Sequence, residues 1–465
     1  MTMESNVEGF SREVFADRRK KIMERLGPAV VVFPAASELI RSNDTTFPFR
    51  QDSDFYYLTG FPEPDALAVL INGESEQFFL FTRPRDPKQE IWTGRRHGPA
   101  GAREVFGADE AYPLNELDST MPKILSNVDR VFFAFGKQES WDRRMMGWIN
   151  QVRTKGRRGA VSAPTELIDA ALVVHEKRII KEADEIDRMQ RAARISADAH
   201  TLAMKACSPG MTERELQTRL EHCCLSRGAQ AMAYETIVAG GANACVLHYV
   251  ENSARLNQGD LVLIDAGCEL DNYASDISRT FPVSGRFTKT QRRVYEIVLE
   301  AQSVGIQSAR KGERLHSVHS SVVHLLAERL VELGLLDGDP ERHARICLKS
   351  AETPDEDARE ERLEDGEIGL HHYYMHNTSH WLGLDCHDVG RYREAGAWRR
   401  LEPGMILTVE PGLYISSEAD YAPEAYRGIG IRIEDDVLVT EDEPEILTES
   451  CAKSVEEVEA ACQGR

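Results

Sequence analysis

Leu261-Val262-Leu263-Ile264-Asp265-Ala266-Gly267-Cys268-Glu269-Leu270-Asp271-Asn272-Tyr273-Ala274-Ser275-Asp276-Ile277-Ser278-Arg279-Thr280-Phe281-Pro282 is the stretch whose reading decides the fold of the larger part of this chain. Its first arm is apolar as far as Ile264 and ends on an acid, Asp265; its second arm opens on another, Asp276. The turn between them is rich in Glu269, Asp271 and Asn272. Strand formers on both sides of turn formers predict a hairpin across which the two acids approach each other. Two bare carboxylates there repel, and one must stay protonated unless a cation lies between them. A metal is the economical answer.

Working outward, three more residues join the pair. Glu410 follows Leu407-Thr408-Val409 and precedes Pro411-Gly412, where a strand breaks into a turn. Glu434 lies in Ile431-Arg432-Ile433-Glu434, and period-two geometry puts Arg432 and Glu434 on one face with the isoleucines on the other. His380 sits in the dense segment from His376 to Asp388, which also holds His387. Imidazole beside carboxylates suits Mn, Fe, Co or Zn better than Mg or Ca. Four carboxylates are neutralised by two divalent ions and left half unbalanced by one, so a dinuclear site is expected. Taken singly, an acid at a strand end is more often a turn former and a lone histidine a hydrogen-bonded core residue. The set of five is what points to a metal centre.

The rest of the chain sets the frame. At 465 residues it is long enough for two domains. The first third alternates short apolar runs (Ala29–Phe33, Ala66–Ile71, Phe78–Thr82, Val131–Phe135) with helix-compatible segments, the pattern of an α/β domain without an evident catalytic cluster. The basic, glycine-containing stretch from Gln151 to Pro164 reads as a linker, with a boundary near residue 175 and domains of 1–175 and 176–465. Beyond it, 181–206 has helical apolar spacing, and Thr212 with Glu215 forms a capping box before a second helix. Strand-like runs follow at Leu261–Ile264, Ile277–Val283, Ile406–Val409 and Ile429–Val439. The acidic segment within 340–370 reads as a solvated loop or charged helix with no assigned function.

With 56 Lys+Arg against 77 Asp+Glu the net charge is −21, a field that repels nucleic acid. Nine cysteines without a CxxC pair fit a reducing, cytoplasmic compartment. No apolar run approaches membrane-spanning length, and the charged N-terminus does not read as a secretory signal.

The motifs as a set resemble those of the pita-bread metallopeptidases, and among them the Xaa-Pro aminopeptidases: LIDAGCELDNYASDISRTFP, MHNTSHWLGLDCHDVG, ILTVEPGLYI and GIGIRIEDDVLVT in the second domain, FRQDSDFYYLTGFPEPDA and EIWTGRRHG in the first. The resemblance spans nearly the whole chain and implies an α/β N-terminal domain plus an α+β pita-bread catalytic domain. It implies Asp265, Asp276, His380, Glu410 and Glu434 as ligands of two divalent ions, usually Mn2+, with Asp276 and Glu434 bridging. By the same resemblance His248 and His387 bind substrate and stabilise the transition state, His376 lines a proline pocket, Arg432 supports the site, and Trp92 reaches the active site of a neighbouring subunit in a homo-oligomer (dimer or tetramer). The expected reaction releases the first residue of a peptide with proline at position two, by attack of a water held between the ions with Glu410 as base. Prolidase, a dipeptidase, is the runner-up; a catalytically inactive peptide- or protein-binding relative is the alternative of another class.

Overall fold

The computed structural model describes residues 6–7, 10–157, 159, 161–352 and 367–464. The chain divides into two compact units, Met1–Arg178 and Ile179–Arg465.

In the first unit the apolar runs become a six-stranded mixed sheet in the order Glu166–Ile168, Arg130–Phe133, Ala29–Pro34, Leu67–Asn72, Glu76–Thr82, Glu110–Pro113. Val30, Val32, Leu67, Val69, Phe79 and Phe81 form one side of its core. The helix Glu139–Gly156 covers them with Trp141, Met145, Trp148, Ile149 and Val152, a three-to-four-residue spacing that makes a single apolar stripe. This corrects the linker reading of 151–164: residues 151–156 are the last turns of that helix, and Val161 and Ala163 pack against the same core. The basic side chains Arg153 and Lys155 belong to the helix's last turn, where cations suit the carbonyl end.

The second unit uses one succession twice. The helices Ala183–Ala206 and Glu213–Ser226 lead into the antiparallel strands Ile237–Gly240, Leu261–Asp265 and Ser278–Pro282; the helices Lys289–Ser308 and Leu315–Glu332 precede Ile406–Val409, Gly412–Ile415, Ile429–Arg432 and Asp435–Leu438. The Thr212–Glu215 capping box is present. A core runs between helices and strands through Leu216, Leu220, Val262, Ile264, Val294, Val298, Val322, Ile431 and Ile433. Pro340–Glu352 is a helix, whereas most of the acidic segment that follows lies outside the described residues. Among the described residues no helix is long and apolar enough to cross a membrane.

Register places the acids. Leu261–Asp265 pairs with Ser278–Pro282 so that Asp265 stands opposite Ser278, two residues beyond Asp276. The short hairpin Cys268–Leu270/Tyr273–Ala274 occupies the intervening turn, with Asp271 and Asn272 at positive φ as a tight turn requires. The run Ile429–Val439 is two strands broken at Ile433-Glu434, and the backbone N–H of Glu434 donates to the Ser278 carbonyl at 3.0 Å. That bond ties the two halves of the unit beneath the site.

Candidate metal centre

The broken strand ends and the histidine segment meet at the floor of one cavity of about 1120 Å3. Its lining includes Asp265, Asp276, His380, Glu410 and Glu434, together with His248, His376, His387 and Arg432. Ile431 and Ile433 point the other way into the core, so the alternation expected of this strand holds. Trp92 belongs to the first unit, on a short helix Pro87–Thr93 without a buried residue, and is 85% exposed.

Hydrogen bonding selects the histidine tautomers. Nδ1 of His380 donates to the Trp381 carbonyl at 3.0 Å, which leaves Nε2 as the ring nitrogen facing the acids. Nε2 lies 3.5 Å from Asp276 Oδ2 and 3.6 Å from Glu410 Oε1, gaps long for hydrogen bonds and of the size a coordinated cation spans. Asp276, His380 and Glu434 each offer a ligand atom within 4.8 Å of the others. The donor set therefore fits a divalent ion of borderline hardness.

The electrostatics of the protein alone are unbalanced in the way a cation corrects. Burial, with Asp276, Glu410 and Asp265 close by, holds the Glu434 carboxyl well above the carboxylate range. Burial pushes Glu410 up to about 7 against the pull of His380 and Arg432, and raises Asp265. Asp276 goes the other way: burial raises it, but the nearby His380, with the Tyr234 hydroxyl and the Cys386 thiol, brings it below its ordinary value. His380 is correspondingly lifted to about 9, its acidic neighbours outweighing desolvation. Two dications would replace protons as the counter-charge here.

A relay of side chains fixes the ligands. Arg432 Nη2 donates to Asp265 Oδ2 at 2.5 Å, its Nε to Ser278 Oγ at 2.8 Å, and Ser278 Oγ in turn to Glu434 Oε2 at 2.7 Å. Arg432 Nη1 donates to the Tyr414 hydroxyl at 3.0 Å; that hydroxyl donates to His376 Nε2 at 2.9 Å, and His376 Nδ1 to the Asn377 carbonyl at 2.8 Å. Desolvation, then the charge of Arg432, hold His376 down to about 3, so it is neutral near pH 7. Opposite, the buried Glu213 carboxylate accepts from the backbone N–H groups of Gly240 and Ala254, from Asn243 Nδ2 and from the Tyr249 hydroxyl, bracing the loop that carries His248.

Several residues of the site had no signal of their own in the sequence. The Tyr234 hydroxyl reaches Asp265 Oδ1 at 2.7 Å and also Asp276 Oδ1. Asp436 accepts the backbone N–H of Asp276 at 3.2 Å. Lys181 Nζ and Asp388 Oδ2 form a buried pair at 2.9 Å, one residue from His387. Cys386 Sγ donates to Asp276 Oδ2 at 3.1 Å.

A floor of convergent carboxylates and imidazole, ready to take cations and open to a cleft, is the constellation of a metallohydrolase. Comparison with known proteins narrows the class. Metallopeptidase family M24 matches residues 187–441, and the N-terminal domain of aminopeptidase P matches residues 15–132. The chain is similar to the Xaa-Pro aminopeptidase of Escherichia coli (strain K12), at 44% identity over 97% of each chain, and to that of Haemophilus influenzae, at 40% identity over 96% of each. A solved Pseudomonas aeruginosa aminopeptidase superposes with a TM-score of 0.91 at 43% identity over 98% of both chains. An E. coli aminopeptidase P variant in complex with substrate gives 0.90 at 42% identity, covering 98% of this chain and 99% of that one. The chain belongs to metallopeptidase family M24, within its Xaa-Pro aminopeptidase branch. The expected architecture, an α/β N-terminal domain and a pita-bread catalytic domain, is borne out.

Proposed function

We propose that this protein is a metal-dependent aminopeptidase that releases the first residue of peptides with proline at position two. The observation that carries the reading is the convergence of Asp265, Asp276, His380, Glu410 and Glu434 on one cavity floor, in a chain that matches an Xaa-Pro aminopeptidase over 97% of its length. These five residues would hold two divalent ions, with Mn2+ the proposed native pair. Catalysis is assigned to the domain from residue 176 onward.

When bound, the ions polarise the scissile carbonyl and make water a competent nucleophile at neutral pH. Glu410 takes the proton of the attacking water and returns it to the leaving proline nitrogen. His248 and His387 donate to the oxygen on which negative charge develops, a contribution on the order of 2.7–4 kcal/mol for one such donor. His376, neutral and held by Tyr414, packs against the pyrrolidine ring, while Arg432 holds Asp265 in place. An Xaa-Pro bond has no amide hydrogen, so its recognition rests on packing and on the carbonyl.

The cavity volume of about 1120 Å3 exceeds the roughly 300–1000 Å3 of ordinary small-ligand sites, which favours longer peptides over the dipeptides of a prolidase. A cytoplasmic location is proposed on nine free thiols. A homo-oligomer is proposed on the exposed Ile91 and Trp92 of a helix that buries nothing in its own unit. The test is incubation of the Mn-loaded protein with Ala-Pro-Gly-Gly, Ala-Pro and Ala-Gly-Gly-Gly: alanine is expected from the first alone or fastest. Preference for the dipeptide turns the reading to prolidase, and silence on all three ends it.

A further inference from the structure

The cationic rim of the cavity is not used by the chemistry above. Arg391 and Arg393 line the cavity and are exposed, at its open side, whereas the carboxylates at its floor are buried or partly so. No carboxylate among the described residues lies within ion-pairing distance of either guanidinium; Glu394, next in sequence, pairs instead with Arg399 at 3.2 Å. In a chain whose acids outnumber its lysines and arginines by 77 to 56, two unmatched arginines at one mouth call for an external anion.

Their placement is built, not incidental. Arg393-Glu394 pairs antiparallel with Ala397-Trp398 across a two-residue turn, Ala395 and Gly396, both at positive φ as the hairpin twist demands. The register sets Arg393 opposite Trp398, with the guanidinium carbon 4.2 Å from the indole ring centre. Trp398 also stacks on His316, with ring centres 5.3 Å apart and planes within 12°. The result is an aromatic plate edged by cationic groups, on the wall of the same cavity. It suits an aliphatic stem ending in a carboxylate.

Substrate direction then supplies the ligand. In an aminopeptidase nothing precedes the first residue, so with the scissile carbonyl at the carboxylate floor, only the chain beyond the proline can reach the mouth. We propose that Arg391 and Arg393, with the Trp398–His316 plate, form a subsite for a carboxylate carried downstream of the cleaved bond. This rests on the catalytic reading above. The carboxylate has two possible sources: an acidic side chain at position three or four, or the C-terminus of a short peptide.

The experiment compares kcat/KM for Ala-Pro-Gln-Gly-amide, Ala-Pro-Glu-Gly-amide, Ala-Pro-Gly-Glu-amide and Ala-Pro-Gln-Gly free acid, in wild type and in the double variant Arg391→Gln/Arg393→Gln. Ratios are read within each protein, so any general effect of the substitutions cancels. At low salt the wild type is expected to favour a charged peptide over the neutral one by about three- to tenfold, the scale of two partly exposed ion pairs. The preference shrinks at high salt and falls to about one in the double variant. Preference for a Glu peptide assigns the subsite to a side chain, and preference for the free acid assigns it to the terminus. Equal rates in wild type, or a preference that survives the double variant, overturn the subsite. Calorimetric affinities of the same peptides give the ratio without turnover, so absence of hydrolysis sinks the catalytic reading while the affinity ratio still decides the subsite.

Discussion

Replacing Arg279 by methionine tests whether the two halves of the second unit are locked together beneath the metal ligands. Arg279 is fully buried, and its Nη2 donates to Asp435 Oδ1 at 2.7 Å and to the Cys451 carbonyl at 3.0 Å. Nη1 donates to the carbonyls of Glu434 at 2.5 Å and Ser278 at 3.0 Å, and Nε to that of Ala452 at 3.1 Å. Breaking a buried pair by removing one partner costs about 3–5 kcal/mol. The lower end applies, because Asp435 keeps Lys453 at 2.5 Å and Gln302 at 2.6 Å, and the Ser278 carbonyl keeps the Glu434 N–H. At about 2 °C per kcal/mol for a unit of this size, the variant should melt roughly 6 °C lower by calorimetry in EDTA. Because Arg279 grips the backbone of Glu434 itself, Mn affinity by titration calorimetry should also fall, by about tenfold. A melting point within about 1 °C of wild type together with unchanged Mn binding would show that the buried pair is dispensable.

Three further outcomes are expected. Glu410→Gln should stay folded and bind some metal while kcat on an Xaa-Pro peptide drops by about 10²–10⁴; a wild-type rate removes Glu410 as base. Tyr234→Phe deletes a hydroxyl that reaches both Asp265 and Asp276, and should weaken Mn binding about tenfold in competition with a chelator; unaltered affinity would reduce the hydroxyl to a bystander. In the first unit burial raises Asp54, but the hydrogen bond of His175 at 3.2 Å and the charges of Arg178, at 2.7 Å, and Lys137 carry it well below its ordinary value. Its folded pKa is depressed, so its stabilisation is present above the unfolded value of about 3.9 and is lost as pH falls below it. The melting difference between wild type and Asp54→Asn should shrink as pH falls below about 4; a gap that widens over that range contradicts the assignment.

What the sequence made legible was what its local chemistry encodes. Asp265 and Asp276 stood out because acids at the ends of branched apolar runs need a reason, and the register that sets Asp265 against Ser278 brings them together. Glu434 was readable from alternation alone, since Ile431 and Ile433 enter the core while Arg432 and Glu434 face the cavity. The stretch from Gln151 reads as a linker by its basic residues and glycines because most of the buried stripe that makes Glu139–Gly156 a helix, Trp141, Met145, Trp148 and Ile149, lies upstream of it. Tyr234, Asp436 and Lys181 left no local signal: each acts on a partner 31 to 207 residues away, a distance that only the folded chain closes.

The buried acids differ in whether the protein itself supplies a cation to them. The protein supplies its own cations to the acids that hold the frame: Arg279 and Lys453 to Asp435, and Lys181 to Asp388. Among the described residues, Asp265 alone of the four proposed ligand acids has a permanent cation, Arg432, within ion-pairing distance. In the proposed site, with His380 neutral as a ligand, four carboxylates and one guanidinium leave three negative charges, and two dications would leave one positive charge over. That surplus acts weakly on the uncharged scissile carbonyl and most strongly when its oxygen becomes negative, which is the condition for lowering a barrier and not merely tightening binding. Arg432→Met is accordingly expected to depress kcat more than it raises KM on the Mn-loaded protein. An effect confined to KM would mean that the guanidinium serves only to hold Asp265 in position.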